Sequence, residues 1–257
     1  MPRYIALAIW CTGWLSLFGN PAAGYEKQRF CSDTAPNVVA FLDITTPYDE
    51  ADKASLIEGI SRIFEGLEDG ARLSIRTIED KSTSSHRLIE LCIPYCPDEG
   101  FLKGLLSTCT EGVVINERKH RRLQVSAALM ETTRDRIELP YSAIIRTIAM
   151  VAAEEFAEGR ENRFYLFSDM IENSDYISGK DFSRKPNDDL IGMLEEDRLI
   201  PNLSGATVKV FGVGRGGSAE RAPLTQERLT QLHDFWTRFF AATGASVTLT
   251  QNFGLSD

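Results

Sequence analysis

Residues 37 to 53, NVVAFLDITTPYDEADK, constrain the fold more than any other stretch of the chain. Val38, Val39, Ala40, Phe41 and Leu42 form an unbroken apolar run of strand length, without the alternation of a strand that has one wet face. Such a strand is buried on both sides, so other layers must cover it on each. Asp43, Thr45 and Thr46 stand where the strand emerges. A carboxylate and two hydroxyls at that exit suggest a site.

The rest of the chain supplies the covering layers. Leu56, Ile57, Ile60, Ile63, Phe64 and Leu67 recur at helical spacing, and Gly70 provides a stop. ARLSIRTIED then reads as a second strand. Residues 81 to 121 read as a turn followed by a cysteine-containing excursion, in which VVIN at 113 to 116 is too short to assign. A helix is expected from about 122 to 136, and Pro140 interrupts. YSAIIRTIAMVAAEEFAEG places Ile144, Ile145, Ile148, Val151, Ala152 and Phe156 on one helical face. RFYLFSDM is a strand ending on Asp169, and residues 173 to 189 read as a long polar loop. There Tyr176, Ile177 and Phe182 either meet a partner or fold back over the core. ATVKVFGVG is a strand, TQERLTQLHDFWTRFFAATG a helix closed by Gly244, and ASVTLTQNF a last strand. Strands alternating with helices imply an α/β fold, with a doubly wound, mostly parallel central sheet flanked by helices in a Rossmann-like three-layer architecture.

The ends of the chain and its cysteines set the compartment. Arg3 precedes an apolar stretch over residues 4 to 19, and the small residues Ala22 and Gly24 fit cleavage before Tyr25, so residues 1 to 24 read as a signal peptide. The stretch is shorter than the roughly 20 residues that usually span a bilayer, and no later segment is apolar enough to do so. Residues 25 to 257 then form a single domain, periplasmic or secreted. Cys31, Cys92, Cys96 and Cys109 remain, an even number that suits two disulfides in any of three pairings. A zinc site using Cys92, Cys96 and Cys109 or His86 is the alternative, although Pro94 and Pro97 favour a stapled loop. The formal net charge is −9 and Arg3 is the only charged side chain among residues 1 to 24, so their removal makes the chain more acidic still. A nucleic-acid partner is not expected.

In open sheets, ligands collect at the carboxyl ends of strands where the winding reverses. Two strand exits carry aspartates, Asp43 in FLDIT and Asp169 in LFSDM, and oxygen-only ligands there would suit magnesium, manganese or calcium. At these residues, and in element order over roughly residues 36 to 251, the chain resembles the von Willebrand factor A-like family. Members carry a metal-ion-dependent adhesion site with an Asp-x-Ser/Thr-x-Ser pattern after the first strand, a hydroxyl from a second loop and an aspartate after the fourth strand. The resemblance implies a cation held by Asp43, Thr45, Ser142 and Asp169, with an open position that a carboxylate of a protein partner completes. Pro47 stands where the third first-loop hydroxyl would be, which makes the site degenerate.

The residues also have plainer roles. Asp43 can cap the turn after its strand, Thr45 and Thr46 can make local hydroxyl turns, Ser142 can be the N-cap of its helix, and Asp49 with Glu50 suits a helix start. The rival class is a metal-dependent phosphoester hydrolase with Asp43 as nucleophile or metal ligand, but such enzymes carry a second aspartate where this chain has Thr45. A third reading is a metal-free structural component of an envelope assembly. GVGRGG at 212 to 217 does not open directly into a helix, so it suits a turn better than a dinucleotide loop. The basic cluster ERKHRR at 117 to 122 reads as a solvated helix start or loop, or as a patch for an anionic partner.

Overall fold

The computed structural model describes residues 30–80, 85–96, 109–134, 136–215 and 224–253. The signal-peptide stretch lies outside them, as do residues 97–108 of the cysteine-containing excursion. Among the described residues six strands form one sheet: β1 (Asn37–Asp43), β2 (Arg72–Ile78), β3 (Arg87–Cys92), β4 (Asn162–Phe167), β5 (Thr207–Phe211) and β6 (Ser246–Thr250), in the order β3-β2-β1-β4-β5-β6. Every neighbouring pair is parallel except β2 with β3. The helices are α1 (Glu50–Glu65), α2 (Glu111–Thr133), α3 (Ile144–Glu155), α4 (Gly179–Arg184), α5 (Asn187–Glu196) and α6 (Gln226–Thr243).

The unbroken apolar run of β1 has its physical reason in two cores. Val38, Ala40 and Leu42 pack with Leu56, Ile60 and Phe64 of α1 and Val125 and Leu129 of α2. Val39 and Phe41 face the other way, toward Ile145 and Ile148 of α3, Leu190 and Leu194 of α5, and Phe235, Trp236 and Phe239 of α6. The result is a doubly wound, three-layer α/β fold, as the alternating pattern predicts.

Local signals set the helix ends. Asp49 and Asp52 form a reciprocal capping box on α1. Gly244 ends α6 at φ 80°, in the left-handed region where a glycine costs least. Where α3 ends, Glu155 is buried beside Ser74, Arg72, Arg76 and Arg87. Burial alone would raise the Glu155 pKa, but Ser74, Arg72 and Arg76 outweigh it and hold the carboxyl below its ordinary value.

Three segments differ from the sequence reading. Residues 87–92 form the antiparallel edge strand β3, hidden because that edge is half-exposed and carries Arg87 and Glu90. α2 begins at Glu111, capped by the Thr110 hydroxyl, so VVIN and ERKHRR are both helical, and it ends at Thr133 rather than near 136. The stretch from 173 to 189 is not one long loop: Ser178 and Asp181 form a capping box that starts α4, and α5 follows. Ile177 and Phe182 fold back, Ile177 into the core and Phe182 edge-on to Phe235.

Two disulfides pair Cys31 with Cys92 and Cys96 with Cys109, with Cα separations of 5.1 and 5.6 Å. The four sulfurs are thereby used, which replaces the zinc alternative. The first bridge ties the end of β3 to the segment before β1, where Ser32 N donates to Gly70 O at 3.0 Å. A side chain at Gly70 would place its Cβ 2.6 Å from that of Ser32, so this turn requires glycine. Among the described residues no helix is long and apolar enough to cross a membrane.

Candidate functional site at the carboxyl ends of β1 and β4

β1 leads outward to β2 and β3, whereas β4 leads to β5 and β6 on the opposite side, so the winding reverses between β1 and β4. Their exit loops part there and leave room for side chains from both. Asp43 is the last residue of β1 and is buried. Its Oδ1 accepts the backbone N–H of Thr45 at 3.0 Å and the Thr45 hydroxyl at 2.6 Å, and its Oδ2 accepts the Ser168 hydroxyl at 2.6 Å. Asp169, also buried, accepts the N–H of Ile171 on Oδ1 at 2.9 Å and the Thr46 hydroxyl on Oδ2 at 3.2 Å.

The two aspartates are thus cross-linked through hydroxyls: Ser168 of the β4 loop reaches Asp43, and Thr46 of the β1 loop reaches Asp169. A third loop joins them, since Gly214 N donates to Asp169 O at 2.8 Å. Gly212 and Gly214 hold φ of 93° and 71°, so the described part of this stretch, residues 212–215, turns on this edge. Burial pushes the Asp43 pKa up, while the Ser168 and Thr45 hydrogen bonds and the charge of Arg215 draw it part of the way back.

Ser142 sits on the neighbouring loop, its backbone paired in both directions with Asn173 at 3.0 Å. Its buried hydroxyl makes no hydrogen bond among the described residues, so Ser142 is brought to the same end of the sheet without joining the network around Asp43 and Asp169. Nor is it an N-cap. Ala143 holds that position on α3 and supplies no side-chain bond. The service comes from another loop, where Glu172 Oε2 accepts the N–H of Ile145 at 3.0 Å. Burial pushes the Glu172 pKa up to about 7, and the charge of Asp43 adds to the rise, against bonds from Ser174, Ile145 and Ile144.

Four residues of this edge escape the sequence reading: Ser168, Glu172, Tyr48 and Arg215. The Tyr48 hydroxyl donates to Asp43 O, and burial raises its pKa well above the usual phenol value. The Arg215 guanidinium lies over two rings, 5.2 Å from the centroid of Tyr48 and 4.6 Å from that of Phe253, and pairs with Asp52 in the first turn of α1. Only Ser168 has a local signal, as a hydroxyl directly before a strand-end aspartate.

The sequence matches no family model and no curated protein. Solved structures similar to this chain include the human COPII-coat protein Sec24c, at 12% identity and a TM-score of 0.40, over 87% of this chain and 30% of that one. The SpRpn10 VWA domain is similar at 10% identity and a TM-score of 0.37, over 84% of this chain and 88% of that one. The three N-terminal domains of the type V pili tip protein Mfa5 from Porphyromonas gingivalis are similar at 12% identity and a TM-score of 0.37, over 87% of this chain and 43% of that one. The chain therefore spans less than half the length of the first and third of these.

Proposed function

We propose that the chain is an exported von Willebrand factor A-like module that binds a protein partner along the carboxyl edge of its sheet. The observation that carries this reading is the pair of buried aspartates, Asp43 and Asp169, cross-linked by hydroxyls where the winding of the sheet reverses. Three loops locked to one another present a rigid edge, so a partner meets it with little ordering cost. The two disulfides support an oxidising compartment, periplasmic or secreted.

The edge also suits a divalent cation. Its donors are all oxygens, which favours magnesium, manganese or calcium. The orphaned Ser142 hydroxyl and the raised pKa of Asp43 are both costs that a bound cation would relieve. Asp43, Thr45, Ser142 and Asp169 would hold the ion. Pro47 offers no side-chain oxygen, and among the described residues no three acidic, histidine or cysteine side chains gather as a metal cage. When bound, the ion would supply a Lewis-acid position for a carboxylate of the partner. Ser168 keeps Asp43 oriented and Thr46 keeps Asp169 oriented, whether or not the ion is present.

Thermal unfolding in chelator, and then in millimolar magnesium, manganese or calcium, tests the cation. At about 100 times its dissociation constant a bound ion adds roughly 2.7 kcal/mol to stability. The rise is expected in the natural chain and absent in Asp43→Ala. If no cation shifts the midpoint, the metal part of the reading is lost and binding by the loops alone is left. Asp43→Ala, which also removes the Ser168 bond, would then weaken partner binding only by loosening the loops.

A further inference from the structure

Among the described residues every strand of the sheet has a neighbour on each side except β3 and β6, which end it. An end strand leaves one row of backbone N–H and C=O groups outside the ladder, and natural proteins blunt such edges with charges, bulges or a covering element. β3 shows all three. Arg87 and Glu90 lie on it, its pairing with β2 shifts register between Ile75 and Arg76, and Arg121 and Gln124 of α2 line one cleft with residues 87–91. β6, with the sequence SVTLT, has no charge, no proline and an unshifted register with β5 from Ser246 to Thr250.

The hydrogen bonds show which groups of β6 face out. Ser246 N donates to Ala206 O at 3.0 Å, and Thr250 O accepts from Gly212 N at 2.9 Å, both toward β5. Backbone groups change sides at each residue of a strand. Thr248 therefore also turns its N–H and C=O toward β5, and Val247 and Leu249 turn theirs to the open side. The side chains of Val247 and Leu249 pack against the core, while those of Ser246 and Thr248 are exposed on the other face.

The strand is also complementary to itself. Read in either direction about Thr248 it runs hydroxyl, apolar, hydroxyl, apolar, hydroxyl. An identical strand laid antiparallel about a two-fold axis at Thr248 sets Val247 opposite Leu249 and Leu249 opposite Val247. Each of those pairs exchanges two backbone hydrogen bonds, and Thr248 meets its counterpart at the closer position between them. Apolar side chains then face apolar ones, and hydroxyls face hydroxyls. Lys209, beside Thr248 in the register, is the only charged residue of β5 and β6. It would stand three strand spacings, about 14 Å, from its counterpart, beyond the screening length at physiological salt.

We propose that β6 pairs antiparallel with β6 of a second copy of this chain, about a two-fold axis at Thr248, and joins the two sheets into one. A strand of another protein would meet the same open backbone, but no side chain of SVTLT selects it, whereas the two-fold register matches every residue of the strand. The edge is short, so the contact falls below the roughly 1,200 Å² of a stable complex and the dimer is weak and concentration-dependent. Antiparallel pairing points the carboxyl edges of the two sheets in opposite directions and leaves both open. The inference does not rest on what those edges bind.

The test is sedimentation equilibrium of the folded protein with both disulfides, from about 10 µM to about 1 mM, the range in which so small an interface associates. The average mass is expected to rise from that of one chain toward that of two. Thr248→Lys and Thr248→Glu each set like charges against one another across the axis, and each should weaken association about tenfold. Their melting temperatures should match that of the natural chain, since Thr248 is exposed. The lysine variant should lose more than the glutamate variant, because Lys209 stands beside position 248. An equimolar mixture of the two variants should restore association to at least the natural level. A single-chain mass at the highest concentration overturns the proposal. So does a dimer that neither variant weakens, which would place the contact elsewhere. Loss in both variants without recovery in the mixture overturns the two-fold register at Thr248.

Discussion

Replacing Cys31 and Cys92 together by serine is expected to destabilise the protein by about 4 kcal/mol in equilibrium chemical unfolding. The two residues are 61 apart in sequence, and a bridge that closes so long a loop removes much conformational freedom from the unfolded chain. The Cys96–Cys109 bridge spans a separation of 13, and by the same relation its loss costs about 3 kcal/mol. The expected order is therefore the long bridge above the short one. Native contacts reinforce it. Cys92 ends the antiparallel edge strand β3, and the adjoining Ile93 exchanges backbone bonds with Gly70 and Ala71 at 3.0 and 2.8 Å. Without the bridge, this edge keeps its pairing with β2, the Ile93 backbone bonds and the packing of Leu91 and Ile93. A double serine variant at the long bridge that costs no more than one at the short bridge would refute the loop-entropy account.

The sequence reveals most where burial leaves a one-dimensional trace. β1 is legible because both its faces are buried, so its five apolar residues run without a break. α1, α3 and α6 are legible because each presents one buried stripe at helical spacing. The start of α2 is not, because Ile115, Leu123 and Met130 face outward and blur the stripe that Val125 and Leu129 make. β3 is hidden by the polar residues of an edge. At the site, Asp43 and Asp169 show themselves as acids at the ends of apolar runs, and the adjacency of β1 and β4 brings their loops together. Their local capping roles are real as well, since Thr45 N and Ile171 N donate to them. Glu172 and Arg215 take their roles from contacts with residues distant in sequence, so no local pattern marks them.

Glu172→Gln is expected to make the protein more stable than the natural chain above neutral pH and about equally stable near pH 4.5. Glu172 is fully buried at the amino end of α3, where the helix dipole and the Ile145 N–H favour a negative charge. Burial opposes that charge and prevails, aided by repulsion from Asp43, so the folded-state pKa stands at about 7 against an ordinary 4.5. Between those two values the folded protein keeps a proton that the unfolded chain has released. The unfolded state then binds fewer protons, and stability falls as pH rises through the window. A shift of this size corresponds to roughly 3 kcal/mol, lost progressively between pH 4.5 and 7 and level beyond. Glutamine keeps a carbonyl oxygen for Ile145 and has no proton to lose, so the difference in unfolding free energy between variant and natural chain should grow by up to that amount across the window. The raised pKa of Asp43 tilts both proteins, and its repulsion of Glu172 is part of the difference between them. Urea unfolding of the pair at several pH values reads it directly. A difference that stays flat from pH 4.5 to 8 would show that Glu172 ionises at its ordinary pKa, and that its bonds to the start of α3 outweigh burial.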